Sequence, residues 1–385
     1  MPTPTDRVRG ADRSSIRVMY DLAQRQGGDL VRLEVGEPDF DTPEHVIDAA
    51  ARAAREGATH YTSNAGLPAC RRAISETLAE RYGVRHDPDE IVVTVGGMEA
   101  LHLAVLATVS PGEELVVPGP TWPNYETQAR LADGSLREVA LPAATGFDLD
   151  ADRVIEAMGD ETAAVILTTP SNPTGRVFDP DECRAIVEAA ADHDAYVIAD
   201  EVYLGLTYDG PADGIAAYTD HPEHVLTIGS CSKAYAMTGW RLGWLAGDSH
   251  VIEDVLTVRE STTACASSVA QHAAIAALTG PQEPFEEMHD AFRERRDLVV
   301  DRVDAIDGLS CPRPEGAFYA FLDPGVDDDS LSIATRLLED HGVVLAPGDG
   351  FGETAPGRLR LSFANSLERL EEGFDRLEDG LATMR

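Results

Sequence analysis

Of the 31 basic residues in this chain of 385, 30 are arginine and one is lysine, Lys233. Arginine can stand in for lysine as a surface cation, but a pKa above about 12 bars it from acting as a neutral amine nucleophile. The single amine lies in GSCSKAYAMTGWRLGW (229–244), with Ser230 and Ser232 on either side of Cys231 and Arg241 further along. Two hydroxyls, a guanidinium and a lone amine suit a phosphorylated aldehyde: the donors hold the phosphate while the amine forms an imine. A chance survivor of compositional drift is the other reading of the count.

Three other segments carry groups of the same kind. IVVTVGGMEALHLAVLA sets Gly96 and Gly97 between a strand and a helix, where free backbone N–H groups and the helix dipole favour an anion, although Gly-Gly turns are also common as turns alone. AYVIADEVY ends an apolar run with Asp200, which taken by itself reads first as the N-cap of a following helix and second as a ligand-binding group at a sheet edge; Tyr203 comes three residues later. TTPSNPTGRVF offers the Asn172 amide in what is also an ordinary tight turn.

These groups need elements to hold them. Apolar runs at 91–95, 114–119, 136–141, 163–170, 195–201, 224–230 and 240–247 alternate with helical patterns, among them DECRAIVEAAADHD (181–194), opened by Asp179-Pro180. Short strands alternating with helices predict an α/β fold with a mostly parallel central sheet flanked by helices on both faces. One long helical stretch is expected over 249–279. GPQEP (280–284) then breaks the chain before a smaller α+β unit, so the expected division is an N-terminal arm and part of the small domain at 1–45, a large domain at 46–280 and a C-terminal small domain at 281–385.

Composition narrows the function. Hydrophobic residues at 43% and charged residues at 26% are globular proportions. Against the 31 basic residues stand 68 acidic ones, a net charge of −37, so binding to nucleic acid through its phosphates is excluded as a function. The acid is dispersed, with no run longer than Asp327, Asp328, Asp329, and it reads as a salt-adapted surface. Five cysteines without a C-x-x-C pair argue against a disulfide framework or a zinc site and for reduced thiols in a cytoplasm. No membrane span or export signal is evident. A G-x-G-x-x-G fingerprint is absent, which disfavours a nicotinamide oxidoreductase.

Taken in order with LEVGEPDFDTPEHV (33–46), HYTSNAGLPACRRAI (60–74), PTWPNYE (120–126), PEGAFYAF (314–321) and RLRLSFA (358–364), these segments resemble the pyridoxal-phosphate-dependent aminotransferases of class I/II, fold type I. The resemblance spans nearly the whole chain and implies pyridoxal 5'-phosphate as cofactor. It implies Lys233 as the Schiff-base lysine, Asp200 on the pyridine nitrogen, Tyr203 and Asn172 on the ring hydroxyl, and Trp122 stacked on the ring. Gly97, Met98, Ser230 and Arg241 would form the phosphate cradle. Arg360 would bind the substrate α-carboxylate, with Gly36 lining the same pocket. Tyr61 resembles the tyrosine that reaches the phosphate of a neighbouring subunit, which implies a homodimer.

The implied reaction moves the amino group of an L-amino acid to a 2-oxo acid, 2-oxoglutarate by analogy. A lyase or synthase on the same scaffold would keep every cofactor residue and is the alternative. A regulator fused to a DNA-binding module is opposed by the charge. Some aspartate-preferring relatives carry a lysine on the helix after the glycine pair; this chain has no Lys or Arg from His86 to Gln128, only His102 on that helix.

Overall fold

The computed structural model describes residues 3, 5, 15–354 and 356–385. After a helix at Ser15–Gln26 and the short strand β1 (Val31–Arg32), seven strands build one large sheet. They are β2 (Ile91–Thr94), β3 (Glu114–Gly119), β4 (Ser135–Ala140), β5 (Thr162–Thr168), β6 (Tyr196–Asp200), β7 (Val225–Ser230) and β8 (Gly243–Ala246). Then come β9 (Tyr319–Leu322), β10 (Val343–Val344), β11 (Ala346–Pro347) and β12 (Leu359–Ser362).

The large sheet runs β2-β8-β7-β6-β5-β3-β4 and is parallel except for β8, which lies antiparallel between β2 and β7. Its strands other than the edge strand β4 are buried on both faces because their apolar residues alternate between two cores. Val93, Val116, Val165 and Val197 enter one core with the helices Pro68–Tyr82, Pro180–Asp192 and Ser268–Thr279, while Val92, Val117, Ile166 and Ile198 enter the other with Gly96–Thr108 and Ser249–Glu260. Each such side chain contributes about 1.5–3 kcal/mol by leaving water.

A third core joins the helix Ser15–Gln26 to the C-terminal elements through Met19, Val31, Phe318, Ile333, Val344 and Phe374. There β11, β12 and β9 form an antiparallel sheet, and β1 pairs in parallel with β10.

Two expectations are corrected. The stretch 249–279 is two helices, Ser249–Glu260 and Ser268–Thr279. Ala264 takes a left-handed conformation at φ 61°, its N–H caps the Arg259 carbonyl, and Ser267 accepts from the Ala270 N–H to start the second helix. Nor does a helix follow Asp200: the chain enters turns, with Leu204 N–H bonded to Glu201 O and Leu206 N–H to Tyr203 O.

Among the described residues no helix is long and apolar enough to cross a membrane, and all five cysteines are unpaired.

Candidate active site

Strand order reverses between β3 and β5, so the carboxyl ends of β3, β5, β6 and β7 open a crevice of the kind where α/β sheets collect ligands. Asp200 closes β6 there. Its Oδ2 accepts a 2.6 Å hydrogen bond from the Tyr125 hydroxyl, which is also 2.7 Å from Thr168 Oγ1, while Oδ1 is buried without a partner. Burial pushes the Asp200 carboxyl up. The Tyr125 donor, the Val202 N–H and the Lys233 charge oppose this, and a cation at Oδ1 would add to them.

Lys233 follows the end of β7, and its Nζ donates to the Gly36 carbonyl at 2.6 Å, with the Tyr203 and Phe318 rings each centred 5.9 Å away. Burial is the main reason that the amine's pKa is pushed down to about 8. Arg360 and Arg241 act in the same direction, and Glu37 and Asp200 oppose them. Near neutral pH such an amine holds its proton loosely enough to give it up, as an amine that must react needs to do.

On one side of Lys233 the cavity is built for an anion. The helix Gly96–Thr108 starts with Gly96 at φ 74°, where an added Cβ would fall 2.6 Å from Arg241 Nη2, so the guanidinium approaches the helix start only because residue 96 is glycine. Ser230 Oγ lies 2.9 Å from Ser232 Oγ and accepts from the Ser232 N–H at 3.0 Å. Glu99, in the first turn, caps the Val95 N–H and pairs with the buried Arg259 at 3.3 Å, fixing the helix start against Ser249–Glu260.

On the other side the cavity is built for a carboxylate. Arg360, on β12, donates through Nη1 to Asn172 Oδ1 at 3.0 Å and through Nη2 to Glu34 O at 2.6 Å, leaving Nε buried and unpaired. Its guanidinium lies 4.4 Å from the Tyr319 ring centre and 4.9 Å from that of Phe351, contacts that set its plane. Tyr319 Oη is 2.8 Å from Tyr203 Oη, and an added Cβ on Gly36 would come within 2.2 Å of it.

The cavity so formed has a volume of about 360 Å³ and is lined by Gly36, Gly97, Met98, Trp122, Asn172, Asp200, Tyr203, Ser230, Lys233, Arg241 and Arg360. Tyr61 is not among them: it is 92% exposed, on a loop tied down by Arg259 to Asn64 O and by Gln271 to Leu67 N–H. His102 is also outside the cavity, with its Nδ1 2.7 Å from Gln128 Oε1. Sequence reasoning missed Tyr125, Thr168, Glu37 and Tyr319 as wall residues. All four stand in segments quoted above, Glu37 in LEVGEPDFDTPEHV, Tyr125 in PTWPNYE, Thr168 in TTPSNPTGRVF and Tyr319 in PEGAFYAF, but no local spacing marks them as wall residues.

An anion cradle, a loosely protonated lysine, an unpaired carboxylate oxygen and an arginine open at Nε define a site for a phosphorylated aldehyde and an amino acid. The chain belongs to the class I and II aminotransferases, whose family it matches over residues 28–377. It is 41% identical over 359 residues to the aspartate/prephenate aminotransferase of Thermus thermophilus, covering 92% of this chain and 91% of that one. It is 37% identical over 362 residues to the aspartate aminotransferase of Geobacillus stearothermophilus, covering 91% of each. The solved structure of the Thermus thermophilus aspartate aminotransferase with maleate superposes with a TM-score of 0.94 at 38% identity, covering 99% of this chain and all of that one. The protein is therefore a pyridoxal-phosphate-dependent transaminase that moves the amino group of an L-amino acid to a 2-oxo acid, and the lyase alternative is not favoured. The unpaired Asp200 Oδ1 and the Gly96 start beside Arg241 fit that cofactor.

Proposed function

We propose that Lys233 carries the cofactor and moves protons, that Asp200 pairs with its ring nitrogen, and that Arg360 holds the substrate α-carboxylate. The observation that carries this reading is the Asp200 carboxylate, buried with Oδ2 taken by Tyr125 and Oδ1 open. When bound, pyridoxal 5'-phosphate supplies an aldehyde carbon for the amino group and a ring that takes up the electrons released at the substrate Cα. Gly97 and Met98 at the helix start, with Ser230 and Arg241, would hold the phosphate, Trp122 would cover the ring face, and Asn172 and Tyr203 would bond its hydroxyl. Arg360, turned by Asn172 and Glu34, orients the substrate Cα–H toward Lys233. Lys233 Nζ would take the Cα proton as a base and later return a proton as an acid.

For the amino acceptor we propose 2-oxoglutarate, and for the donor aspartate, because two relatives carry that activity in their names. A second reading, an apolar or aromatic donor, is favoured by the apolar part of the cavity wall. Ile16, Val35, Met98 and Trp122 line the cavity, while its cations Lys233, Arg241 and Arg360 all have tasks assigned above. A panel of L-amino acids with 2-oxoglutarate, followed by oxo-acid detection, decides between them: oxaloacetate as the leading product supports aspartate, and phenylpyruvate or a branched oxo acid supports the second reading. No transfer from any donor would overturn both.

The subunit and its setting belong to the same proposal. Tyr61, exposed on an anchored loop, would complete the phosphate site of a second copy in a homodimer. The unpaired thiols support a cytoplasmic location, and the −37 charge supports a high-salt one. A division into 1–45 as an arm and part of the small domain, 46–280 as the large domain and 281–385 as the small domain is supported by the core that joins the helix Ser15–Gln26 to the C-terminal elements and by the antiparallel sheet those elements form.

A further inference from the structure

Behind the sheet edge that carries Asp200 lies a second cavity, of about 20 Å³. Four side chains on its wall have buried polar atoms without a partner: Glu201 Oε2, Thr227 Oγ1, Tyr235 Oη and Trp244 Nε1. Leaving one such atom unpaired costs about 1–3 kcal/mol, and folded proteins avoid that cost by bonding buried polar groups to protein or to internal water. A cavity holds a water when it offers roughly 10–15 Å³ and two to four polar partners, and this one offers both. The partners are also complementary: the Trp244 indole can only donate, the two hydroxyls donate or accept, and the carboxyl supplies the remaining sites. The wall shares Tyr82, Gly205, Ala234 and Tyr235 with an open cleft, which gives solvent a way in.

Glu201 links this cavity to the catalytic edge. Strand alternation sends its side chain away from the face that Asp200 uses. Its N–H donates to Ile228 O on β7 at 3.0 Å, its carbonyl accepts from Leu204 N–H at 2.9 Å, and Oε1 accepts from Ile215 N–H at 2.6 Å. It therefore ties β6, β7, the turn bearing Tyr203 and the 214–217 segment into one unit.

We propose that this cavity is an internal hydration site, and that Glu201, held between the Ile215 amide and the bound water, is a positioning residue for Asp200 and Tyr203. Burial pushes the Glu201 carboxyl up to about 8, which keeps it a neutral acid able to donate to that water. The titratable groups on its side of the strand end are Tyr82, Tyr235, Cys183 and Tyr218, and the Asp200 charge acts on it from the other face. Burial holds Tyr82 and Tyr218 near 12 and Cys183 and Tyr235 higher still, so near neutral pH these four are uncharged.

The test has three readouts on the holoenzyme. A crystal structure showing ordered solvent should place a water within hydrogen-bond distance of Glu201 Oε2; a dry cavity overturns the hydration site. A carboxyl that binds its proton only in the folded state loses stabilisation as pH rises from its unfolded value to about 8, so the wild-type unfolding midpoint should fall relative to Glu201→Gln across that window and run parallel above it. Parallel curves throughout would overturn the neutral, water-bound Glu201.

The third readout rests on the role proposed for Asp200: Glu201→Ala should shift the pH midpoint of the cofactor's absorbance, and Glu201→Gln should restore it. An unshifted Ala variant overturns the positioning role, whereas the first two readouts stand independently of the cofactor chemistry. If the Ala variant does not fold, a Glu201→Gln midpoint displaced from the wild-type value overturns that role instead.

Discussion

Arg360 and Asn172 are 188 residues apart in the chain, yet Arg360 Nη1 donates to Asn172 Oδ1 at 3.0 Å. This bond joins the C-terminal antiparallel sheet to the turn after β5, so the group that would bind the substrate carboxylate and a group that would touch the cofactor cannot move independently.

Replacing Arg360 with lysine removes the planar fork while keeping the charge. Loss of a charge-assisted bond worth about 1.5–3 kcal/mol should lower kcat/KM roughly 10- to 100-fold, for donor and acceptor alike, with the cofactor's absorbance unchanged. Steady-state kinetics on both half-reactions check this, and an unaltered kcat/KM for either acid would remove Arg360 from carboxylate binding.

Borohydride reduction of the holoenzyme should fix pyridoxyl on one peptide, the one containing Lys233. In cofactor-free protein, acylation of that lysine should rise through a midpoint of about pH 8, where an ordinary lysine rises near 10.4. The stability sign runs the other way from that of a paired lysine: between about 8 and the unfolded value only the unfolded chain holds the proton, so wild type should gain on Lys233→Met as pH rises through that window. Peptide mapping and paired unfolding curves read the two effects; labelling on another residue would remove Lys233 from its role.

Mixing an inactive chain with an impaired one tests whether Tyr61 serves its own site or its neighbour's. A Lys233→Ala chain refolded with a Tyr61→Phe chain should form heterodimers in which one site has both wild-type residues, and that site should regain wild-type turnover. Should Tyr61 act within its own chain, every site keeps one lesion and mixing brings no gain. Tyr61→Phe alone should cost about 1.5–3 kcal/mol of transition-state stabilisation, some 10- to 100-fold in kcat/KM.

Dispersed acid at −37 repels itself across the fold at low ionic strength. Because the Debye length shortens from about 8 Å at 0.15 M salt to about 3 Å at 1 M, the unfolding midpoint should climb steadily over that range. An undiminished midpoint and full activity in dilute buffer would show that the charge has no such cost.

What could be read without coordinates was what short-range chemistry specifies. A lone lysine is visible as a count, Gly96 and Gly97 as a turn whose backbone needs no Cβ, and the strands as apolar runs bounded by breakers, because each depends on neighbours a few residues away. Asp179 capping Pro180–Asp192 belongs to the same class. The family resemblance then linked these pieces, and eleven of the residues it implied line one cavity.

Only tertiary structure decided the partners that tune those residues. Tyr125 reaches Asp200 across 75 residues because β3 and β5 are adjacent and β6 follows, and Tyr319 reaches Tyr203 across 116 because the C-terminal sheet packs over the turn after β6. Arg259, at the end of the helix before the break in 249–279, likewise pairs with Glu99, 160 residues earlier, a contact to which helical periodicity is blind. The unpaired atoms of Glu201, Thr227, Tyr235 and Trp244 come together for the same reason: strand order brings distant residues to one cavity, and nothing in their local sequence records that they will share it.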